Sequence, residues 1–496
     1  MSAQERHQRL VAQGNANVSS GKIDAARAAY SAVLGEDDQN ADALMGMGLV
    51  AHRMGQLKIA EEFLRRAIAV NSRAPAYWSN LGNVLLDDAR TQEAVEAHSK
   101  AVKLGPKDPA AHQNLGNILN MLDRPQEALK HFRLALKFAP DAPDLLVNLA
   151  TCLTRIGDYR DSLAYFEKAL RQQPAHSYAR YYYGSALNWL GRWQEGWEPF
   201  DGRIDLPSFR PWLHYAPFSQ ELPEDLSGKL ILIVEEQGIG DQLRFATMIP
   251  DLVAAGAIVT LECHPKLLEL FRDAFYGVTV VPSSGISKDE AMGFDLRLPM
   301  GSLGKRFRPS AAAFEAKPPI LSPRKERVGE LKARLAAKGE GPKIGICWRS
   351  GTAGPLRNPY YAGIEELEPL LKVKGLQFVC LLYDECEKEL QLARDRFGVD
   401  IDVVEEVDLF DDLPSSIDLM AALDFVVSAN TSVASLAGAA GVAGIEFHGR
   451  PVPKDYLVNG SDPWFPSLEP MGKRFIEAWR PLMRQIAGRV DKRFKA

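Results

Sequence analysis

Cysteine is scarce in this sequence: five residues in 496 (Cys152, Cys263, Cys347, Cys380 and Cys386), with no CxxC pair among them. An odd, scattered set argues against a disulfide framework and against a zinc site. Long apolar runs are missing as well, so no membrane span is expected. The opening MSAQERHQRLVAQGNANVSS holds no apolar stretch of the signal-peptide kind, and the expected compartment is a reducing cytoplasm. Charge of one sign is also lacking, because 59 basic against 64 acidic residues leave a net charge of -5. That balance gives no global attraction to nucleic acid or to an anionic membrane. What is present is 46% hydrophobic and 25% charged residues over a length that exceeds one ordinary core, so two or three globular domains are expected.

The first two hundred residues repeat. Gly48, Gly82 and Gly116 recur every 34 residues, Ala150 takes the next step, and Gly14 and Gly184 extend the series. Ala26, Ala60, Ala94 and Ala128 follow the same period, each trailed four residues later by Tyr30, Leu64, His98 or Phe132. A small and a large residue at that spacing share one helix face. Pro106, Pro140 and Pro174 stop the second helix of each unit, since proline cannot continue the hydrogen-bond ladder. The period is that of the tetratricopeptide (TPR) helix-turn-helix unit. Five good units run from about residue 7 to 176 and a degenerate sixth reaches 203, which predicts an all-α solenoid over 7–203 with a concave groove.

By itself such an array reads as a protein-docking scaffold. Asn80, Asn114 and Asn148 occupy one position of three consecutive repeats, with Asn83 and Asn117 one turn on. A side-chain amide both donates and accepts, so a row of them suits an extended peptide backbone whatever its side chains. Asparagine is also common there in ordinary repeats. The row resembles the asparagine ladder of eukaryotic O-GlcNAc transferase, and that resemblance implies an acceptor-binding role.

The period ends at LPSFRPWLHYAPFSQELPEDLSG, a segment over 204–228 that reads as an extended linker packed on a neighbouring surface. A strand-turn-helix pattern follows: the apolar run Leu230 to Val234, the turn Gln237-Gly238-Ile239-Gly240-Asp241, and a helix expected from Gln242. Further apolar runs at 257–263 and 278–281, and the segment 294–303, complete a first lobe over 229–323. The charged stretch 324–342 reads as an interlobe linker. Runs at 343–348, 376–382, 425–428 and 444–447 form a second lobe over 343–470, and an amphipathic tail over 471–496 is expected to cross back onto the first.

Four segments in order, GKLILIVEEQGIGDQLRFATMIPDL, KIGICWRSG, LDFVVSANTSVASLAGAAGV and DPWFPSLEPM, stand behind repeats ending in GRWQEGWEPFDGRI. Together they resemble the bacterial TPR-linked glycosyltransferases whose catalytic half is similar to the lipopolysaccharide heptosyltransferases, and the architecture resembles the repeat-bearing flagellin glycosyltransferases. The resemblance implies a GT-B module of two Rossmann-like lobes and a nucleotide-sugar donor held by the second. No further cofactor is expected.

In the heptosyltransferases the aspartate of the glycine turn is the proposed general base, which corresponds to Asp241. A carboxylate at the end of a first strand also suits proton abstraction from an acceptor hydroxyl; the plainer reading is a helix cap. Asn430, Thr431 and Ser432 stand at a helix start, where free N–H groups suit a donor phosphate, or they simply cap it. The heptosyltransferases carry Asp-Thr-Gly and a histidine one turn on, whereas this chain has Asn430 and Ser435, which puts a heptose donor in doubt. Arg349 and Arg357, in the loop after KIGICW, are candidates to pair with phosphate or a sugar carboxylate in place of a metal, the plainer reading being two solvated surface arginines. Asp400 and Asp402 match a metal-binding DxD pattern by coincidence, so no metal is expected. His448 is a candidate for the nucleotide base or for a structural role.

These residues lead to a transferase acting on serine or threonine hydroxyls of a protein held by the repeats, with flagellin as the acceptor by family analogy. A transferase for lipid-linked or polysaccharide acceptors, and a TPR adaptor with a decayed transferase module, are the alternatives.

Overall fold

The computed structural model describes residues 2–219, 221–315, 317–351 and 360–495. The chain divides into two compact units, Met1–Cys152 and Leu153–Ala496.

The first unit is a stack of helix pairs: α1 Ala3–Ser19 with α2 Ile23–Leu34, α3 Ala41–Arg53 with α4 Leu57–Val70, α5 Pro75–Asp87 with α6 Thr91–Leu104, and α7 Pro109–Met121 with α8 Pro125–Phe138. The unit boundary falls inside α9, Pro143–Ile156. Local chemistry sets the helix limits. Asn40 and Asp108 accept the backbone N–H of Ala43 and Ala110 at 3.1 and 2.9 Å, satisfying donors that the helix starts would otherwise leave unpaired. The helices α6 and α8 end two residues before Pro106 and Pro140, as the sequence predicts.

The glycine series works by close approach. A Cβ on Gly82 would lie 2.6 Å from the His98 ring, and one on Gly116 would lie 2.6 Å from Phe132. Large residues of the second helix therefore fill the space that the glycines leave, and Tyr30, Leu64, His98 and Phe132 are all buried. A side chain of Leu or Phe size fully buried this way contributes about 1.5–3 kcal/mol. One periodic feature escapes the sequence reading: the turn inside each pair needs positive φ, met at Gly21 and Gly55 but also by Ala89 at 60° and Asp123 at 61°. Successive odd-numbered helices α1, α3, α5 and α7 touch one another, which places them on the inner side of the curve.

The second unit begins with the rest of α9 and with α10 Tyr159–Gln172, α11 Ser177–Trp189 and α12 Trp193–Phe200. These last repeats fold with the α/β part rather than with the earlier ones, so the compact boundary lies some fifty residues before the expected 203. The reason is their tryptophans. Trp193 packs at a tilt against Phe314 with centroids 4.7 Å apart, Trp189 against Tyr456 at 4.5 Å, and the Trp197 indole donates to the Arg308 carbonyl at 2.7 Å. Arg203, 2% exposed, makes a forked pair with buried Glu236 at 2.6 and 2.8 Å.

The segment expected to be an extended linker over 204–228 is partly coiled, as a 3-10 turn over Pro207–Tyr215. Tyr215 is buried against Leu232 and Val234, so the expected docking on a neighbour holds.

Two parallel sheets follow. The first has the order β3-β2-β1-β4 and the second β10-β9-β8-β5-β6-β7. Their strands are β1 Leu230–Val234, β2 Ile258–Cys263, β3 Thr279–Pro282 and β4 Leu296–Pro299, then β5 Lys343–Cys347, β6 Gln377–Cys380, β7 Ile401–Asp402, β8 Phe425–Ala429, β9 Gly444–His448 and β10 Leu468–Gly472. Buried apolar runs covered by helices on both faces explain the parallel pairing. The stretch 324–342 is no mere linker: it carries a helix, Lys325–Ala337, whose Leu331 and Leu335 are buried against the helix Leu413–Ala422. The tail forms a helix, Trp479–Lys495, packed on the second sheet's own layer, where Phe494 meets Phe425 and Arg480 pairs with Glu368. The expected crossover onto the first lobe is therefore replaced by a local seat. Among the described residues no helix is long and apolar enough to cross a membrane.

Candidate functional site

The strand β1 is followed by Glu235, Glu236 and Gln237, and Gln237 takes a left-handed φ of 62°. That conformation costs a non-glycine residue of order 1–3 kcal/mol and is held by what surrounds it. Glu235 accepts from Gln242 at 3.0 Å and from the Ser283 hydroxyl, while Glu236 is locked by Arg203 and the Gly301 N–H. The turn then opens the helix α13, Ile239–Ala246, three residues earlier than the sequence suggests, with Gly238 as its cap. Asp241 thus lies in the first turn instead of preceding the helix.

From the second sheet, β8 leads through Asn430 and Thr431 into the helix Ser432–Ala439. Thr431 is the cap residue, yet its side chain makes no capping bond; its hydroxyl lies 3.4 Å from that of Ser428. Asn430 is held by its side-chain amide against His448 Nδ1 at 3.2 Å. The two helix starts approach closely, since a Cβ on Gly240 would lie 3.1 Å from Ser435 Oγ.

Between them is a cleft of about 590 Å³. Of the expected site residues, Gly238, Gly240, Asp241, Asn430, Thr431 and Ser432 line it. Gln237, the first residue of the turn, is not part of the lining. Arg349 is not brought in. Its guanidinium is tied to Asp384, to both oxygens of Glu389 and to the Glu385 carbonyl, so the expectation of an arginine open to phosphate gives way to an internal ion-pair cluster. Arg357 lies outside the described residues. Asp400 pairs with Arg394, and Asp402 with Arg334 and Lys338.

Sequence reasoning overlooked Arg244, one turn after Asp241 on α13. It lines the cleft and reaches Glu446 at 3.3 Å, while its Nε has no hydrogen-bond acceptor among the described residues. Its only signal in the sequence is the i,i+3 spacing from Asp241. Glu446 and His448, both buried, stand 3.4 Å apart. A line of polar groups therefore runs Asn430, His448, Glu446, Arg244 under the cleft floor. Burial works to raise the Glu446 carboxyl, but His448 and then Arg244 outweigh it and hold the group below its ordinary value. Asp241 goes the other way: burial lifts its carboxyl above the usual carboxylate range, Arg244 opposes the rise, and Glu236 adds to it. A carboxylate raised in this way is a stronger base than a solvated one.

Further lining comes from Lys266 and His264 of the first half and from Tyr383, Leu409, Phe410 and Leu413 of the second, among others. Among the described residues no group of three or more His, Cys, Asp or Glu is arranged to hold a metal ion.

In the first unit, Asn80, Asn114 and Asn148 fall on α5, α7 and α9, each half-buried. They occupy equivalent turns of the first helices of three successive repeats.

Protein FlbA of Caulobacter vibrioides is 32% identical over 320 residues, which are 60% of this chain and 52% of that protein. Tetratricopeptide repeat protein 7B of Homo sapiens is 31% identical over 90 residues, 18% of this chain and 11% of that one. The chain thus spans about half the length of FlbA and far less of the human protein. Among solved structures, YrrB, described as a TPR protein with an unusual peptide-binding site, is 22% identical and covers 36% of this chain and 92% of its own, with a TM-score of 0.31. Residues 7–199 match the family model described as Tetratricopeptide repeat, so this part of the chain carries TPR repeats.

Proposed function

We propose that this chain is a glycosyltransferase of GT-B type, moving a sugar from a nucleotide-sugar donor to a serine or threonine hydroxyl of a protein held by the repeats, with flagellin as the acceptor by family analogy. The observation that carries the reading is that Asp241 and the start of the helix Ser432–Ala439, supplied by two different parallel sheets, line one cleft of about 590 Å³. That volume suits a small ligand and its diphosphate. Ligands of open parallel sheets bind outside the carboxyl ends of the strands, where both groups stand.

In this reading Asp241 takes the proton of the acceptor hydroxyl, whose oxygen forms a bond to the anomeric carbon as the bond from that carbon to the donor phosphate oxygen breaks. The nucleotide leaves with the electron pair, and the N–H groups at the start of Ser432–Ala439 face its charge. The TPR groove supplies acceptor choice.

A second reading, a TPR adaptor with an idle transferase module, draws on Arg349 being committed to Asp384 and Glu389 and on Asn430 being held by His448. The deciding experiment incubates the purified chain with a panel of UDP-, GDP-, ADP- and dTDP-sugars and follows nucleotide release. In parallel, intact masses of proteins are compared between cells with and without the gene. Release of one nucleotide together with a sugar-sized mass loss in the deleted strain supports the transferase. Absence of both leaves the adaptor.

A further inference from the structure

The cleft has a cation that the transferase reading leaves unused. Lys266 sits in a short 3-10 turn, Pro265–Leu267, of the first half, fixed by its own N–H, which donates to His264 Nδ1 at 3.2 Å. Its ammonium reaches over to the second half, donating to the Phe410 carbonyl at 2.8 Å and pairing with Asp411 at 2.9 Å. The receiving loop is built for presentation. Asp408 accepts the N–H groups of both Phe410 and Asp411, at 2.8 and 2.9 Å, and Asp412 caps the following helix through the Ser415 N–H. Phe410 is thereby held outward, 53% exposed, with its ring centroid 3.2 Å from the Lys266 nitrogen and 5.9 Å from the stacked ring of Tyr383. Lys266, Phe410 and Tyr383 all line the same cleft as Asp241 and Thr431.

We propose that Lys266 is the cation that meets the diphosphate of a nucleoside diphosphate in this cleft, exchanging Asp411 for phosphate, and that the Phe410–Tyr383 ring pair receives the base. The inference rests on the transferase reading. Arg244, the other cation of the lining, faces the buried carboxylate of Glu446, and relative cost decides between Lys266 and Arg349. The Asp411 side chain is 68% exposed, and an ion pair with so solvated a carboxylate contributes little, so trading it for a phosphate is cheap. Arg349 is held by two carboxylates and a carbonyl, with forked geometry on Glu389, and giving these up is expensive. The lysine side chain, a flexible point charge with three rotatable donors, also suits a change of acceptor. Because Lys266 comes from one half and Phe410 from the other, the ligand would be gripped from both sides of the cleft.

The test is isothermal titration of the full chain with ADP, GDP, UDP, dTDP and inorganic pyrophosphate. At least one nucleoside diphosphate should bind. Lys266→Ala should weaken that binding about tenfold or more and flatten its salt dependence, while Lys266→Arg keeps most of it. Asp411→Asn should tighten binding several-fold, because it releases the lysine; a merely structural pair would give loss in both variants. Phe410→Ala should weaken the nucleoside diphosphate but leave pyrophosphate alone. Binding that ignores Lys266→Ala, or that weakens on Asp411→Asn, overturns the role of Lys266 and spares the transferase reading. Failure of the unaltered chain to bind any of the five ligands overturns both.

Discussion

Arg349 and Glu389 are joined by a forked ion pair, with Nη2 2.5 Å and Nε 3.1 Å from the carboxylate. The same carboxylate accepts the indole N–H of buried Trp348 at 2.7 Å. Arg349→Ala should therefore act on stability, costing about 1–3 kcal/mol as Glu389 and Asp384 lose their shared cation. Donor affinity should stay unchanged within twofold. Denaturant midpoints and donor titration on one preparation separate the two effects, and a large loss of affinity in a fully stable variant would return Arg349 to the site.

Asp241→Asn is expected to lower turnover by about two to four powers of ten, the worth of a positioned acid-base group. The carboxyl is raised in the folded state, so its contribution to stability is present below the unfolded value and is lost as pH rises through the folded one. At neutral pH the amide should therefore fold more stably than the native residue while transferring less. The pH profile of kcat/KM should rise on its acid side above the ordinary carboxylate range. An Asp241→Asn protein that is both less stable and normally active would remove Asp241 from catalysis.

Replacing Asn80, Asn114 and Asn148 together by alanine should raise the acceptor KM at least tenfold if the amides grip peptide backbone, since each lost hydrogen bond is worth about 0.5–1.5 kcal/mol. Donor hydrolysis should not change, as the three residues belong to the first unit and the cleft to the second. Equal acceptor KM values for the triple variant and the native chain would refute the ladder while sparing the scaffold.

His98 gives the repeats a pH dependence. Burial pushes its imidazole down to about 4 from 6.5, and among the described residues its Nδ1 has no hydrogen-bond partner. The depressed value means that this stability is whole above pH 6.5 and is lost as pH falls toward 4, by about 3 kcal/mol over the window. His98→Phe reproduces the pairing of Phe132 with Gly116 and should remove that part of the slope. Hydrogen-exchange protection of α5 and α6 between pH 7 and 4 measures it; an unchanged slope would place the titration elsewhere.

The legibility of this chain in its sequence followed the burial of its residues. Apolar runs such as Leu230 to Val234 announced central strands, because both faces of a parallel sheet are covered. The edge strand Leu468–Gly472 was missed, since a proline inside LEPMG is tolerated only at an edge and reads as a turn. The helix Lys325–Ala337 was hidden by its charged face, although Val328, Leu331 and Leu335 keep helical spacing. Asp241 and Asn430 to Ser432 were legible through resemblance and local turn chemistry. Arg244 and Lys266 were not, because a cation that lines a cleft and one that meets bulk water look alike until distant elements are brought together.

The boundary inside α9 has a consequence for how such a chain can change length. Each repeat upstream is a 34-residue helix pair closed by the same glycine and large-residue contact between its own two helices, so whole repeats can be gained or lost there without disturbing the tryptophan contacts of α11 and α12. A chain shortened to begin near residue 153 keeps Trp189, Trp193, Trp197 and Arg203 in place, whereas one cut at 204 strips them from Tyr456, Phe314, Arg308 and Glu236. The reach of the groove is thereby an adjustable quantity, and the last repeats are as much a wall of the α/β core as the end of a solenoid.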